Sequence, residues 1–281
     1  MKKLFQIFDW LNLVCIISGL IFGLVVETIY NYFFTDLSSL IYSIPLFVIS
    51  LIAIFIIKIK SKRAINVDFS ITTARTENEK ERLAKTGLII FVSLYKPFKS
   101  PIAEKLSLQN REKAAFEKDY QLLDLENSNL QPVIEAICSH KFALKHCWLI
   151  GTTNTEKVKG SVMYQDVLIE FLKKEKGINC DFYYGQKYAI PFEDDALICS
   201  KTYKMMQEIF KEGSSFGLES KDLIADCTGG NRSMVAGMIL SCLHEDNDIQ
   251  LIGTQYDAFS NPEGPLFPVY ISFKPEIKVQ G

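Results

Sequence analysis

The sequence DLIADCTGGNRSMVAGMIL, residues 222–240, contains the groups best suited to binding a ligand. An apolar strand is predicted to end near Thr228, an apolar helix is predicted to begin just after Asn231, and Gly229 and Gly230 form the turn between them. Glycines let backbone N–H groups approach a ligand closely, and the start of a helix adds the positive end of its dipole. The turn is therefore predicted to bind an anion.

Side chains next to the glycines extend this chemistry. Thr228 and Asn231 offer neutral hydrogen bonds, and Arg232 offers a charge-assisted one. Two adjacent glycines alone are equally well explained by a tight strand-to-helix connection. The sequence lacks both the GxxxxGK of a P-loop and the three-glycine spacing of a dinucleotide fingerprint, so those two nucleotide-binding classes are excluded.

Two further polar turns are predicted beside this one. The predicted strand at 88–94 ends in Val92-Ser93-Leu94, and Gly151-Thr152-Thr153 follows at the end of the predicted strand at 147–151. Ligands of open α/β sheets bind outside the carboxyl ends of the strands, so all three turns should converge on one site. The two additional turns contribute Ser93, Leu94, Thr152 and Thr153.

Short apolar segments alternate with amphipathic ones from residue 87 onward, a pattern typical of a parallel sheet with crossover helices. The predicted class is α/β, with a Rossmann-like, mostly parallel sheet, helices on both faces, and one domain at 87–281. Strands are predicted at 88–94, 147–151, 180–184, 223–227, 249–256 and 267–273. Helices are predicted at 130–141, 162–172, 196–211 and 234–243, with an extra helix at 111–126.

Composition and spacing argue against several functional classes. The chain has 31 basic and 33 acidic residues, a formal net charge of −2, which disfavours a protein that coats long nucleic acid. Its 7 cysteines never occur as CxxC and its 3 histidines lack metal partners at useful spacing, so we predict reduced thiols and no metal or cofactor. No Ser-His-Asp pattern is present, and we assign no catalytic residue.

The N-terminal part, residues 1–60, differs from the rest of the chain in its apolar character. Segments 10–30 and 37–57 contain one charged residue between them, Glu27, and each is long enough as a helix to cover the roughly 30 Å of a bilayer core. Basic residues flank the pair, so we expect a transmembrane hairpin with both termini in the cytoplasm, in the inner membrane. A cleavable signal peptide is the alternative for the first segment.

Two smaller features are a glycine stripe within residues 1–60 and a polar segment directly after them. Gly19, Gly23 and Glu27 are spaced by four, which places them on one stripe of the first helix. The stripe is either a helix-packing face or the ordinary glycine content of a spanning helix. Residues 61–86 are polar and mixed in charge, and are interpreted as a cytoplasmic linker with at most a turn or two of helix.

The sequence resembles the CRISPR-associated Rossmann fold (CARF) family, whose members sense cyclic oligoadenylates in type III CRISPR defence. Four segments carry this resemblance, and together they lie within a region of roughly residues 87 to 275. They are FVSL at 91–94, SNLQP at 128–132, WLIGTTNT at 148–155 and DCTGGNRSM at 226–234.

The resemblance implies a homodimer, or a higher oligomer, that binds one cyclic oligoadenylate between its two folds. It assigns phosphate and ribose binding to Thr228, Gly229, Gly230, Asn231 and Arg232, with Ser93 and Thr152 lining the same cleft and Met234 in the following helix. Asp226 binds the ligand or orients the turn, and Asn129 is a ligand contact or a helix N-cap. Asn231-Arg232 replaces the family's usual Thr-Lys pair, and because arginine is a poor acid or base at neutral pH, self-cleavage of the ligand is doubtful.

These expectations combine into a membrane-associated effector. Binding of cyclic oligoadenylate, with four adenylates the commonest ring in the family, would reorganise the attached helices and cause membrane perturbation or growth arrest. Two alternatives stay open, a membrane-tethered ring nuclease that degrades the ligand and a ligand-gated anchor that recruits a partner protein.

Overall fold

The computed structural model describes residues 65–98, 100–154, 159–192, 194–245, 247–259 and 262–277, together with Gly23 and Glu27. The chain divides into two units, and nearly all described residues belong to the unit Val67–Lys274. This unit is an α/β domain built on one mixed sheet of eight strands.

The strands are β1 Ile65–Thr73, β2 Gly87–Phe91, β3 His146–Thr152, β4 Asp181–Tyr183, β5 Ala189–Ile190, β6 Leu223–Asp226, β7 Asp248–Tyr256 and β8 Pro262–Ile277. Their order across the sheet is β1-β8-β7-β6-β2-β3-β4, with β5 paired to the end of β3. Strands β4, β3, β2, β6 and β7 are parallel, and β8 is antiparallel to β7. The chain thus adds strands to one side of β2 as far as β5 and then crosses to its other side with β6. The carboxyl ends of β2 and β6 flank this switch point, where open α/β sheets bind their ligands.

Eight α-helices lie within residues 65–277 as described: α1 Glu77–Leu83, α2 Pro101–Lys105, α3 Leu108–Phe116, α4 Tyr120–Leu123, α5 Gln131–Cys138, α6 Gln165–Glu175, α7 Asp195–Ser215 and α8 Arg232–Glu245. Short 3-10 turns lie at Leu125–Asn127, Val162–Tyr164, Gln186–Tyr188 and Ser220–Asp222.

The central strands are apolar because both of their faces are covered. All five residues of β2 are buried. Leu88 and Ile90 belong to a core shared with α5 and α6, while Ile89 and Phe91 belong to a second core shared with α7 and α8. A parallel strand buried on both faces has a continuous rather than an alternating apolar sequence, which is the pattern found at β2 and β6.

The interpretation of residues 61–86 as a linker is wrong. They include β1, which is the edge strand beside β8, and α1. Thr76 caps α1 in a capping box: its hydroxyl accepts from the Glu79 N–H, and the Glu79 carboxylate accepts from the Thr76 N–H.

The extra helix expected at 111–126 is also different in the structure. The segment folds as the end of α3, then α4 and a 3-10 turn, with breaks at Lys118 and Asp124. Both residues have positive φ angles, 58° and 50°, which interrupt a right-handed helix.

Within the described residues, no helix combines the length and the apolar character needed to cross a bilayer. The segments expected to form a transmembrane hairpin lie outside the described residues, apart from Gly23 and Glu27. The structure therefore gives the hairpin no support.

Candidate functional site

A cavity of about 210 Å³ lies at the carboxyl ends of β2, β3 and β6. It is therefore located at the switch point of the sheet. The lining residues come from all three predicted turns and from two segments that the strand-end pattern did not indicate. They are Val92, Ser93, Leu94, Thr152, Lys159, Phe192, Gly230, Asn231 and Met234.

The glycine turn packs directly against the end of β2. A Cβ atom on Gly229 would lie 2.5 Å from the carbonyl oxygen of Phe91, and one on Gly230 would lie 2.9 Å from the Phe91 ring. Gly230 also has a φ of +83°, in the left-handed region that side chains disfavour. Both positions therefore require glycine, the first because of space and the second because of space and conformation.

Asn231 ends the turn and starts α8. Its Oδ1 atom accepts the Met234 N–H at 2.8 Å, the arrangement of a helix N-cap. Among the described residues, no acceptor is found for the backbone N–H groups of residues 229–233. Two of these five consecutive donors, those of Gly230 and Asn231, belong to residues that line the cavity and are available to an anion there.

Asp226 lies beneath the turn and is completely buried. Its Oδ1 accepts the Thr228 N–H at 2.8 Å, and its Oδ2 accepts from the Gln250 side chain at 3.0 Å. Burial raises the pKa of Asp226 to about 6, and the hydrogen bonds from Thr228 and Gln250 oppose the shift. Because it is completely buried, Asp226 is placed to orient the turn, the second of its two expected roles.

Thr228 connects the turn to β7. Its hydroxyl oxygen accepts the Ile252 N–H at 2.7 Å. The side chain does not line the cavity, and it also hydrogen-bonds the Asp226 carboxylate.

The turn after β3 is closed by reciprocal hydrogen bonds between Thr152 and Ser161. The Thr152 N–H donates to the Ser161 hydroxyl at 2.9 Å, and the Ser161 N–H donates to the Thr152 hydroxyl at 3.0 Å. Thr152 lines the cavity, whereas the Thr153 N–H pairs with the Ile190 carbonyl at 3.1 Å.

The closed loop also brings a cation to the cavity. Lys159 is half exposed, and its Nζ lies 2.9 Å from Glu112 Oε1. Neither Lys159 nor Phe192 was among the predicted site residues. A basic residue shortly after the polar strand end Thr152-Thr153-Asn154 is a usable signal for Lys159, but Phe192 is far from any strand end that the sequence indicated.

Asn129 is not the helix N-cap that the sequence favoured. Leu130 occupies the cap position of α5 and makes no side-chain cap bond. The Asn129 amide instead binds the loop after β2, because its Oδ1 accepts the Lys96 N–H at 2.7 Å and its Nδ2 donates to the Leu94 carbonyl at 2.8 Å. Asn129 thus holds one wall of the cavity in place.

Arg232 is exposed at the first position of α8 and does not line the cavity. Met234, two residues later, is buried and does line it. The predicted contact between Arg232 and a phosphate requires a ligand that extends beyond the cavity.

The predicted site residues therefore fall into three groups. Those that line the cavity are Ser93, Leu94, Thr152, Gly230, Asn231 and Met234. Those that build or support its walls are Asn129, Thr153, Asp226, Thr228 and Gly229. Arg232 lies outside it.

The described part of the chain offers no group of three or more His, Cys, Asp or Glu side chains arranged to hold a metal ion. The cysteine beside the turn is not activated either, because burial raises the pKa of the Cys227 thiol to about 12. A thiol with that pKa is protonated at neutral pH and is a poor nucleophile.

No protein-family model matches the chain, and no curated protein matches it. This result overturns the interpretation of the chain as a CARF-family protein with a transmembrane hairpin. The chain contains the four short segments that resemble the family, but its sequence as a whole matches no family model.

Proposed function

We propose that the domain binds a cyclic oligoadenylate at the cavity beside the glycine turn and acts as a sensor of that ligand. The observation that carries the proposal is the run of backbone N–H groups at 229–233, for which the described residues offer no acceptor. The run leads into α8, and two of its residues, Gly230 and Asn231, line the switch-point cavity. Backbone donors at a helix N-terminus favour a phosphate over a neutral group.

The cavity supplies the other contacts that a nucleotide needs. Lys159 provides a positive charge, and the hydroxyls of Ser93 and Thr152 provide neutral hydrogen bonds. Phe192 and Met234 are the apolar surfaces against which a base can pack. Phosphate, ribose and base thus each have a matching group.

The cavity volume favours a ligand shared between two copies of the chain. At about 210 Å³ it is smaller than the roughly 300–1,000 Å³ of typical small-molecule sites, so it accommodates one nucleotide unit at most. A cyclic oligoadenylate has several equivalent units related by rotation. A homodimer with twofold symmetry presents two such cavities to one ring.

Binding without cleavage is the better supported reaction outcome. None of the nine described lining residues is a carboxylate or an imidazole, the groups that most often serve as general acid or base. Lysine can also serve as a general acid or base, and Lys159 lines the cavity, so the fate of the bound ligand needs a direct test.

The output that the sequence predicted for binding is membrane perturbation or growth arrest in type III CRISPR defence. That output depends on residues 1–60, which lie outside the described residues, and it stays a prediction. Membrane-potential dyes in cells that contain the chain and an oligoadenylate supply test it, and an unchanged potential with normal growth would contradict it.

Calorimetry of the full chain with cyclic tri-, tetra- and hexa-adenylate tests the binding proposal directly. We expect one of the three rings to bind saturably, with a stoichiometry of one ring per two chains. A linear oligoadenylate of the same length should bind more weakly. Chromatography of the ligand after incubation separates binding from cleavage, since linear products would support a ring nuclease. Absence of binding by all three rings would refute the proposal.

A further inference from the structure

A continuous line of buried hydrogen bonds leads away from the glycine turn into the core. It starts where the Thr228 N–H donates to Asp226 Oδ1 at 2.8 Å, and continues where Gln250 Nε2 donates to Asp226 Oδ2 at 3.0 Å. Asp226 and Gln250 are opposite each other in the pairing of β6 and β7, and neither side chain is exposed.

The line continues through a histidine to the segment before β2. His140 is completely buried, and its Nε2 lies 2.7 Å from Gln250 Oε1. Its Nδ1 accepts the backbone N–H of Lys85 at 3.0 Å. Because a backbone N–H can only donate, Nδ1 must be unprotonated, and the imidazole proton must be on Nε2 and donate to Gln250.

We call Lys85, His140, Gln250 and Asp226 the relay. The donor and acceptor atoms of its hydrogen bonds can therefore be assigned in one way only. The lysine fixes its far end, because Lys85 Nζ binds Asp248 Oδ2 at 2.8 Å and the Lys221 carbonyl at 2.7 Å. At its near end is the Thr228 N–H, the one backbone N–H of the glycine turn for which the described residues provide an acceptor.

The relay lies in the otherwise apolar core between the sheet and α5. Leu88, Ile90 and Ile224 belong to that core, and Tyr270, paired with Gln250 across β7 and β8, has its ring edge-on to His140. Leucine or methionine would fill these positions without the cost of burying polar groups. Packing alone therefore does not explain a histidine and a glutamine here.

We propose that Gln250 and His140 are positioning residues for the ligand-binding turn, which they hold through Asp226 without touching the cavity. The inference rests on the proposed function for its consequence in binding. The Asp226 carboxylate receives only neutral donors, so each one matters. Without the donor from Gln250, the carboxylate keeps only its hydrogen bonds from Thr228, so it shifts or becomes protonated and its hold on the Thr228 N–H weakens.

Four variants of the full chain test this proposal. Gln250→Met removes the donor to Asp226, and His140→Leu removes the donor that fixes Gln250. His140→Gln restores a side chain that can donate to Gln250 and accept from Lys85. Gln165→Met is the matched control, because Gln165 is equally buried and its hydrogen bonds go to Leu149 and Gly185 instead.

Two readouts separate positioning from general stability. Hydrogen exchange of the Thr228 amide needs no ligand, and we expect it to be about tenfold faster in Gln250→Met and His140→Leu, the factor that corresponds to about 1.4 kcal/mol. Calorimetry with the best-binding cyclic oligoadenylate should show affinity reduced by a similar factor. His140→Gln and Gln165→Met should match the parent chain in both.

The outcomes distinguish this inference from the proposed function. Unchanged Thr228 exchange in His140→Leu, or equally fast exchange in Gln165→Met, would overturn the positioning role. Failure of His140→Gln to restore slow exchange would also overturn it. If the parent chain binds no cyclic oligoadenylate while the exchange pattern is as expected, the proposed function is refuted and the positioning role of the relay stands.

Discussion

Lys159 is the cavity's cation, and replacing it offers the sharpest test of the proposed phosphate contact. Lys159→Met keeps most of the side-chain length and removes the charge. A hydrogen bond to a charged group contributes roughly 1.5–3 kcal/mol. Lys159 already has an anionic partner, Glu112 at 2.9 Å, so ligand binding exchanges one ion pair for another. We therefore expect a loss of about 1–2 kcal/mol, a reduction in affinity of about 5- to 30-fold.

The neighbouring carboxylate gives the opposite perturbation. Glu112→Gln removes the competing anion while leaving Lys159 in place, so cyclic oligoadenylate should bind at least as tightly as to the parent chain. Lys159→Arg should retain most of the affinity, because it keeps the charge. The salt dependence of binding should decrease in Lys159→Met, since one fewer cation is involved in the contact.

Calorimetry at two salt concentrations measures all of these effects. Lys113→Met is a suitable control, because Lys113 is also ion-paired, with Glu117 at 3.8 Å, and does not line the cavity. The Lys159 side chain is half exposed but that of Glu112 is only 24% exposed, so urea denaturation of Lys159→Met must accompany the calorimetry to separate a change in stability from a change in affinity. Unchanged affinity in Lys159→Met, in a chain whose parent binds the ligand, would refute the assignment of Lys159.

Three further predictions concern the turn and the relay. Gly230→Ala should lower the free energy of unfolding by about 1–2 kcal/mol, because Gly230 has a left-handed φ angle. It should also reduce ligand affinity, because the added Cβ atom displaces the turn from Phe91. Urea denaturation measures the first effect and calorimetry the second, and a variant unchanged in both would contradict the geometry. Asn231→Ala should cost about 1 kcal/mol of stability through loss of the N-cap, whereas Asn231→Asp should preserve it, as thermal unfolding can show. The pKa values of Asp226, raised to about 6, and His140, lowered to about 4, have opposite consequences for stability. The Asp226 contribution is fully present below its unfolded pKa of 3.8 and is lost as the pH rises towards 6, whereas the His140 contribution is present above 6.5 and is lost as the pH falls towards 4. His140→Gln should therefore become more stable, relative to the parent chain, as the pH is lowered from 6.5 to 4, and denaturation curves that keep a constant difference across that range would contradict the shifts.

Much of the sheet could be predicted because its central strands are buried on both faces. Continuous apolar segments indicated β2, β3 and β6 within a few residues of their observed bounds. The edge strand β1 was missed although it carries a usable signal. Ile65, Val67, Phe69 and Ile71 alternate with polar residues, a period of two that is typical of a strand, but the surrounding polar segment suggested a linker.

The parts of the site that follow strands directly could also be predicted, because topology alone brings those positions to one edge. The glycine turn, Ser93 and Thr152 are examples. Lys159 could not be found in this way, since its place at the cavity depends on the hydrogen bonds that join the nearby Ser161 to Thr152. The role of Asn129 depends on bonds to Leu94 and Lys96, and the relay depends on partners that are far apart in sequence. Such long-range hydrogen bonds leave no local pattern.

The switch point joins β2 to β6, two strands whose first residues are Gly87 and Leu223. The cavity consequently exists only after most of the domain has been synthesised, and no shorter fragment that ends before the glycine turn contains a complete version of it. Pairing of strands so distant along the chain is a slow step in folding. Newly made chains should therefore acquire helices and the β2–β3 pair before they become competent to bind, so ligand recognition reports that β6 has paired with β2.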